Sequence, residues 1–470
     1  MKSQQNRSDL KAFFEPDSVA VFGSLREGFG LGYGMVRNLR QFGYSGKIYP
    51  ISPFHSEVMG MKAYSSVDEV ADPIEAAIVI TPPPTVPGIV EQCAHKGVKT
   101  VIIVSENFAE AGGDGVKYQK QLEDIARRTG IRIIGPNTIG VFNPATGFLT
   151  NPYIIVQDKI RKGGIAYCSQ TGSVGLAARP LEERAYPVRL ICDIGNKCDV
   201  DESDVLNYLA GDPKTKAVAM HMENAKDGHR FIKAARRLVA RKPLLIIKGG
   251  RSEAGAEAMI SHTASLAGNE QVYDAVIKQV GALRLNSWEE YWEVPRVFNS
   301  QSLPKGNRVA VITGSGGLGV TVIDVAVESG LVMAKYSAAT REKLRKLFPR
   351  LSGNPVDLGP VLSVAEDPFS VQKQIIEAVL EDDNVDCVAA SIYVGFDALI
   401  PHIAETFEKL KRHISKTIVI HIYGMKMSVL EEMLRQLEAL GFPTYLDFEM
   451  AVKSLGFAAR YSRIRSELTQ

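Results

Sequence analysis

A short apolar run, a glycine-rich turn and a helical pattern follow one another three times along this chain. The turns are GSLREGFGLG after the apolar run at 18–23, SQTGSVG after the run at 163–168, and GSGGLG after the run at 308–313. Strands that alternate with helices in this way form parallel sheets that are covered on both faces. The sequence therefore predicts an α/β protein built from open parallel sheets.

The 470 residues are enough for about three domains of ordinary size. We predict that the first, at 1–145, is Rossmann-like, because five apolar strands alternate there with helical segments. The second domain is expected at 146–300 and the third at 301–470. The polar segment 296–307, which contains proline and glycine, indicates a linker ahead of the third domain.

Charge and composition argue against several classes of protein. The net charge of +2 is not typical of a nucleic-acid or membrane-surface protein, and no apolar run approaches the ~20 residues of a membrane span. The N-terminal residues lack the apolar core of a signal peptide. Five cysteines without a CxxC pair favour reduced thiols over disulfides or zinc ligands. We therefore expect a cytoplasmic protein with no metal site, no nucleic-acid partner and no membrane contact.

The first glycine-rich turn predicts a site for a phosphate-bearing ligand. Its glycines let the backbone approach a pyrophosphate, and the following helix N-terminus favours an anion. An NAD site also needs an Asp or Glu at the end of the second strand, but residues 51–54 are ISPF. NAD is therefore disfavoured against a different phosphate-bearing ligand. The prolines that follow Thr81 predict a rigid rim at the same edge of the sheet.

Three strand ends in the second domain carry polar groups. The turn 169–173, SQTGS, places hydroxyl and backbone N–H groups at a predicted helix start, where they can hold phosphate. Glu223 ends a later strand, and His262 lies among small residues on a predicted loop flanked by glycines. Because parallel strands end at one edge of a sheet, we expect these groups to converge. A neutral imidazole is a competent nucleophile, and Glu223 can set its tautomer.

Each of these features also has a purely structural interpretation. The SQTGS turn alone is typical of an ordinary N-cap. Glu223 can equally be a solvated acid at a strand end, and His262 a surface loop histidine. Only the expected convergence of all three at one edge favours a chemical site.

Several longer motifs together resemble one enzyme family. They are FFEPDSVAVFGS, NLRQFGYSGKIYP, GPNTIGVFNP, YCSQTGSVG, DIGNKCDVDESD and SHTASLAG. Over about residues 11–460 the chain resembles the α subunit of the NDP-forming acyl-CoA synthetases, which include ADP-forming acetyl-CoA synthetase and are related to succinyl-CoA synthetase. The resemblance implies a Rossmann-like CoA-binding domain followed by two flavodoxin-like domains of the succinyl-CoA synthetase type. It also implies that acid, CoA and nucleoside triphosphate are interconverted with acyl-CoA, nucleoside diphosphate and phosphate, through acyl phosphate and a phosphohistidine.

The resemblance further implies roles for individual residues. His262 corresponds to the phosphohistidine, and Glu223 to the carboxylate that supports it. The implied phosphate-binding residues are Ser169, Gln170, Thr171, Gly172 and Ser173. The implied CoA contacts are Gly23, Ser24, Leu25, Arg26, Thr81, Pro82 and Pro83. The implied acyl and thioester pocket comprises Asn137, Thr138, Gly195 and Asn196.

The chain departs from the family pattern at three motifs. The family commonly has Asn-Pro-Lys after the second strand, whereas this chain has Ser52-Pro53-Phe54 and lacks that positive charge near CoA. Arg26 and Lys62 are the candidates to compensate. The family motif SQSG is SQTG here, and the cysteine of GPNCxG is Thr138. These departures leave the residues implied for phosphoryl transfer intact, while the identity of the acyl group stays open.

The resemblance implies a second subunit. The family needs an ATP-grasp module for nucleotide and metal, and the residues after about 465 are too few to form one. We therefore expect a separate ATP-grasp β subunit, in an α2β2 assembly, that binds ATP/ADP or GTP/GDP with Mg. This chain would take a small carboxylic acid, CoA and phosphate. The alternatives are a non-catalytic CoA-binding or regulatory homologue, and a CoA-ester lyase or transferase on the same scaffold.

Overall fold

The computed structural model describes residues 10–157, 159–174, 179–263, 269–351, 353–412 and 416–469. The chain divides into two compact units, one of Met1–Glu182 with Pro187–Leu285 and the other of Glu183–Tyr186 with Asn286–Gln470. Strands in the described residues form three main sheets and one short hairpin. Two of these sheets lie in the first unit and the third lies in the second unit.

The first sheet is formed by apolar runs near the start of the chain. Its strands are β1 (Ser18–Gly23), β2 (Lys47–Ile51), β5 (Ala76–Ile80), β6 (Thr100–Ile103) and β7 (Arg132–Ile134), and the short hairpin is β3 (Glu57–Val58) with β4 (Met61–Lys62). The helices of this part are α1 (Lys11–Phe14), α2 (Leu31–Gln41), α3 (Val86–Lys96) and α4 (Asp114–Thr129). The strands pair in parallel in the order β2-β1-β5-β6-β7. Helices cover the sheet, so its central strands are buried on both faces.

The second sheet adds an antiparallel edge to a parallel core. Its strands are β8 (Val141–Asn143), β9 (Phe148–Leu149), β10 (Lys162–Ser169), β11 (Val188–Asp193), β12 (Ala217–Met222), β13 (Leu244–Lys248) and β14 (Leu283–Leu285). Its helices are α5 (Glu202–Gly211), α6 (Gly228–Val239), α7 (Glu253–Thr263) and α8 (Glu270–Gln279). The strand order is β14-β13-β12-β10-β11-β8-β9, with β8 antiparallel to both β11 and β9. The antiparallel pair was not predicted from the sequence.

The segment after β13 differs from the predicted glycine-flanked loop. Residues Glu253–Thr263 form helix α7, so the backbone of His262 lies in the last turn of a helix. Alanine, glutamate and methionine are strong helix formers, and in the sequence EAGAEAM they outweigh a single interior glycine. Residues 264–268, the rest of the SHTASLAG motif, lie outside the described residues.

The predicted phosphate turn begins directly after β10. Gly172–Val174 form one turn of 3-10 helix, and the following residues 175–178 lie outside the described residues. The helix that we predicted after this turn therefore falls largely on residues that the structure does not describe.

The third sheet lies in the second unit. Its strands are β15 (Arg308–Thr313), β16 (Val332–Met333), β17 (Val356–Asp357), β18 (Cys387–Tyr393), β19 (Thr417–Tyr423) and β20 (Thr444–Tyr445). The helices are α9 (Trp288–Glu293), α10 (Gly316–Glu328), α11 (Ala338–Leu347), α12 (Gly359–Val364), α13 (Pro368–Leu380), α14 (Ile400–Lys411), α15 (Met427–Leu440) and α16 (Phe448–Thr469). The parallel order is β16-β15-β18-β19-β20, and β17 also pairs with β15.

A buried charge network lies in the core of the second unit. The guanidinium of Arg296 donates to Glu293 at 2.6 Å and to Glu438 at 2.7 Å, and its side chain is fully buried. The hydroxyl of Tyr186 donates to Glu293 at 2.6 Å. Arg296 thus supplies a compensating charge to both carboxylates.

The predicted α/β class with open, mostly parallel sheets is confirmed. The residue limits of the three predicted domains stay a prediction. The proposed limit at 145 falls between β8 and β9, which both pair in the second sheet. All five cysteines are buried, and none of them forms a disulfide.

Candidate functional site

A cavity of about 630 Å³ opens at the carboxyl ends of β10, β11 and β12 in the first unit. All four residues predicted for the acyl and thioester pocket line it: Asn137, Thr138, Gly195 and Asn196. Three residues of the predicted phosphate turn also line it: Gln170, Thr171 and Gly172. Glu223 contributes to the same wall. The structure therefore brings together predicted residues from four separate segments.

Two loops form the wall that contains the four predicted pocket residues. The amide of Asn137 donates to the side-chain oxygen of Asn196 at 3.3 Å, and the backbone N–H of Asn196 donates to the Pro136 carbonyl at 2.9 Å. Gly195 has a φ of 54°, which places it in the left-handed region that glycine enters without strain. A Cβ at this position would lie 2.3 Å from the Pro136 carbonyl oxygen. The close approach of the two loops therefore requires glycine.

The phosphate turn is tied to the end of β12. The side-chain oxygen of Gln170 accepts the backbone N–H of Glu223 at 2.9 Å. Glu223 itself is 7% exposed, so the alternative of a solvated acid at a strand end does not describe it. Gln170 and Glu223 thus face the cavity from adjacent strand ends.

A buried serine and histidine lie beneath the turn. The Ser169 hydroxyl accepts the Thr171 backbone N–H at 2.9 Å and lies 3.3 Å from Nδ1 of His221. Burial, aided by the positive charge of Lys248, lowers the pKa of His221 to about 4. His221 is therefore neutral near pH 7. The Ser169 hydroxyl stabilises the turn, and its predicted contact with phosphate stays a prediction.

Asp193 and Lys197 line the cavity but were missed by the sequence analysis. Asp193 is the last residue of β11 and is 1% exposed. Burial raises its pKa to about 6, and the charge of Glu223 acts in the same direction. The Lys197 ammonium is buried and contacts Glu202 at 3.1 Å and the Asn224 side-chain oxygen at 2.7 Å. The sequence did carry a signal for Asp193, because a carboxylate at the end of an apolar strand indicates a candidate site residue.

Comparisons with known proteins show the family of this chain. Residues 17–144 match a family described as a CoA binding domain, and residues 162–298 match a succinyl-CoA ligase like flavodoxin domain. The chain is 36% identical over 462 residues to the ADP-forming acetate–CoA ligase II of Archaeoglobus fulgidus, which covers 97% of this chain and 68% of the relative. It is also 36% identical over 443 residues to the α subunit of ADP-forming acetate–CoA ligase II of Pyrococcus furiosus, covering 93% and 94% of the two chains. The chain belongs to the NDP-forming acyl-CoA synthetase family.

A solved structure supports the same family assignment. It is the dinucleotide forming acetyl-coenzyme A synthetase 1 of Ca. Korarchaeum cryptofilum in complex with phosphate and ADP, with a TM-score of 0.88 and 27% identity over 98% of each chain. The family and the class of acid–thiol ligase predicted from the sequence are confirmed. The non-catalytic and lyase or transferase alternatives are not favoured.

Two residues that the acyl-CoA synthetase family implies cannot be placed at the level of side chains. His262 lies in α7, but its side chain is outside the described part of the structure. The same is true of the Ser173 side chain. The expected contact between Glu223 and His262 therefore stays a prediction.

The residues that the family implies for CoA lie at one edge of the first sheet. Gly23, the last residue of β1, pairs with Ile80, the last residue of β5. The turn 24–26 and the segment 81–83 that follow these strands are therefore neighbours. Their contact with CoA stays a prediction.

The side chains at this edge differ in whether they are exposed for contact with a ligand. Leu25 is 2% exposed and packs in an apolar cluster with Val58, so only its backbone can meet a ligand. The Arg26 guanidinium lies 5.3 Å from the ring centroid of Phe29. Phe54, where the family commonly has lysine, is 88% exposed.

Neither a membrane segment nor a metal cluster is found in the described part of the chain. None of the helices described there combines the length and apolar composition of a membrane span. No group of three or more His, Cys, Asp or Glu side chains in those residues could hold a metal ion.

Proposed function

We propose that this chain is the acyl-transferring subunit of an acyl-CoA synthetase that uses His262 as a phosphoryl carrier. The observation that carries the proposal is the cavity at the ends of β10, β11 and β12. Gln170, Glu223, Asn137 and Asn196 meet there, in a chain that is similar over 97% of its length to an ADP-forming acetate–CoA ligase. The cavity offers the Asn137 amide as a donor for an acyl oxygen beside a turn suited to phosphate.

The proposed reaction has three steps when it starts from acyl-CoA. An oxygen of phosphate attacks the thioester carbonyl carbon, and the CoA thiolate leaves to give acyl phosphate. A neutral ring nitrogen of His262 then attacks phosphorus, and the carboxylate of the free acid leaves. The phosphoryl group finally passes from His262 to a nucleoside diphosphate. Each step is reversible, so the same residues serve acyl-CoA synthesis.

The cavity residues have distinct parts in this scheme. Asn137 would donate its second amide N–H to an oxygen of the acyl carbonyl or phosphate as negative charge develops there. Asn196 donates its amide to Glu110 and Gln119, and it would orient Asn137 by accepting the other amide N–H at 3.3 Å. The turn at Gln170–Gly172 would bind the phosphate oxygens. Glu223 would accept a hydrogen bond from the second ring nitrogen of His262 and so present the other nitrogen to phosphorus.

We further propose that the nucleotide binds on a partner. The relative from Pyrococcus furiosus is named a subunit alpha, and this supports a separate second subunit here. We propose that this subunit is an ATP-grasp β chain which binds ATP/ADP or GTP/GDP with Mg, in an α2β2 assembly. CoA would bind at the first sheet edge near Arg26. The buried cysteines, none of which forms a disulfide, favour the cytoplasm as the place of action.

Labelling of the protein tests the proposal directly. The chain is incubated with acyl-CoA and radioactive phosphate, and we expect acid-labile, base-stable label on the wild type. His262→Ala should remove the label, whereas Glu223→Gln should slow labelling without abolishing it. The matched control is His229→Ala, because His229 is an exposed histidine in the first turn of α6. Equal labelling of His262→Ala and wild type would overturn the proposal.

A further inference from the structure

We propose that Asp193 is a positioning residue for the acyl end of the cavity, because its carboxylate holds together the two loops that carry Asn137 and Asn196. The inference rests on the proposed function and assigns to that site a residue which the family resemblance did not indicate. Asp193 lies between the two loops and would act through them without touching the substrate.

The carboxylate of Asp193 bridges the two loops through both of its oxygens. Oδ2 accepts the backbone N–H of Ile139 at 2.9 Å, and Oδ1 accepts the backbone N–H of Gly195 at 3.1 Å. Ile139 directly follows the pair Asn137–Thr138, and Gly195 directly precedes Asn196. One side chain therefore fixes the backbone beside all four predicted pocket residues.

The backbone of Asp193 adds two further ties to the same loop. Its N–H donates to the Gly140 carbonyl at 2.8 Å, and its carbonyl accepts the Thr138 hydroxyl at 2.6 Å. Four hydrogen bonds thus connect this residue to neighbouring loop atoms, three of them to segment 138–140. The amides of Asn137 and Asn196 are left 3.3 Å apart at the cavity wall.

A carboxylate at this place is costly for the fold, which argues for a role in the site. Asp193 is 1% exposed, and the charge of Glu223 at the end of β12 opposes its ionisation. Lys197, the nearby buried cation, donates to Glu202 and Asn224. Two N–H donors that come from different loops need two acceptor oxygens, and a carboxylate supplies both. Asparagine has only one, so Asp193→Asn must leave a donor unsatisfied or turn its NH2 group toward an N–H.

The experiment separates the acyl end of the site from the CoA end. Full-length Asp193→Asn is compared with wild type in labelling by limiting acyl-CoA and phosphate, and in affinity for free CoA by calorimetry. We expect the labelling rate to fall by about 10- to 100-fold, the effect of losing one hydrogen bond to a charged group in a buried site. The dissociation constant for CoA should stay within about twofold, because the CoA edge belongs to another sheet.

Two further variants keep the test decisive. Asp212→Asn also removes a buried aspartate of the first unit, one that pairs with Arg189 at 2.8 Å and does not line the cavity. This control should lower the melting temperature without changing labelling per folded molecule. Thr138→Val removes the hydroxyl that donates to the Asp193 carbonyl at 2.6 Å and accepts the Gly140 N–H at 2.7 Å. The one proton of that hydroxyl is used inside the loop, so its loss acts through the loop and not through a donated bond to the substrate. This variant should give the same split between labelling and CoA affinity, and it tests the tie between the loops if Asp193→Asn does not fold.

The possible outcomes distinguish the two proposals. A wild type that takes no label refutes the proposed function itself. If the wild type takes label, two results overturn the role of Asp193: folded Asp193→Asn or Thr138→Val labels at the normal rate, or labelling and CoA affinity fall together in these variants.

Discussion

Replacing Gly195 with alanine puts a methyl group where the loop after β11 passes the loop that contains Pro136. The new Cβ would lie 2.3 Å from the Pro136 carbonyl oxygen and 2.6 Å from that of Asn137. Both oxygens belong to the backbone, so no side-chain rotation can relieve the contact. Alanine would also have to adopt the φ of 54°, which costs about 1–2 kcal/mol.

These distances set the size of the expected effect. The two loops must separate by roughly 1 Å, and an error of that size in an active site can lower the rate by about 100-fold. Overpacking costs about 1–3 kcal/mol, so together with the backbone strain we expect the free energy of unfolding to fall by about 2–5 kcal/mol. The labelling rate with acyl-CoA and phosphate should fall by about 100-fold.

The matched control for this prediction is Gly211→Ala. Gly211 is the last residue of α5, and a Cβ placed there meets no described atom within 4 Å apart from its chain neighbours and the backbone of its own helix. The control should be neutral or stabilise the chain by about 0.5–1 kcal/mol, because alanine favours helix. Thermal unfolding, hydrogen exchange of peptides that cover 136–140 and the labelling assay are measured on both variants. If Gly195→Ala behaves like Gly211→Ala in all three, the argument from close packing is refuted.

Three further predictions concern stability and CoA affinity. Arg296→Met removes the counter-charge that Arg296 supplies to two buried glutamates, so the free energy of unfolding should fall by about 3–5 kcal/mol, and an unchanged melting temperature would contradict this. Burial raises the pKa of Asp193 from 3.8 to about 6. The folded state therefore binds this proton more tightly than the unfolded state, which stabilises the fold below about pH 4, and this stabilisation is lost as the pH rises through about 6. Between pH 4 and 7 the free energy of unfolding of Asp193→Asn, measured by calorimetry, should rise by up to roughly 3 kcal/mol relative to that of the wild type, and an equal pH dependence of the two proteins would refute this. Phe54→Lys should lower the KM for CoA several-fold at low salt and not at high salt, whereas Val272→Lys, an equally charged change on exposed α8, should have no effect.

Part of the main cavity could be predicted from the pattern of strands. Gln170 and Glu223 lie just beyond apolar strands of one sheet, and parallel strands end at the same edge of a sheet, so periodicity predicted that they meet. Asn137 and Gly195 follow strands of two different sheets, and only the family resemblance predicted that they share a pocket. The α/β class followed from the same alternation of strands and helices.

Other features depend on contacts between distant segments. The partners of Asp193 include Ile139, more than fifty positions earlier in the chain, so its role as an acceptor for two loops has no local pattern. Residues 253–263 were predicted to be a loop because glycine disfavours helix, but the alanines and glutamates around Gly255 favour the helix that forms. The strands β8 and β9 have three and two residues, too few for an alternating pattern to be recognised.

The hairpin of β8 and β9 limits where the chain can be cut to express its domains separately. Residues 141–149 follow the last strand of the first sheet, but β8 pairs with β11 and β9 pairs with β8, so the hairpin completes the edge of the second sheet. A fragment that stops at residue 144, where the match to the CoA binding domain ends, would carry β8 away from its partners. A fragment that starts at 162 would expose the edge of β11, and unprotected edges of this kind promote aggregation. Chimeras that exchange these two domains between relatives should therefore fold only when residues 141–149 come from the same protein as the second domain.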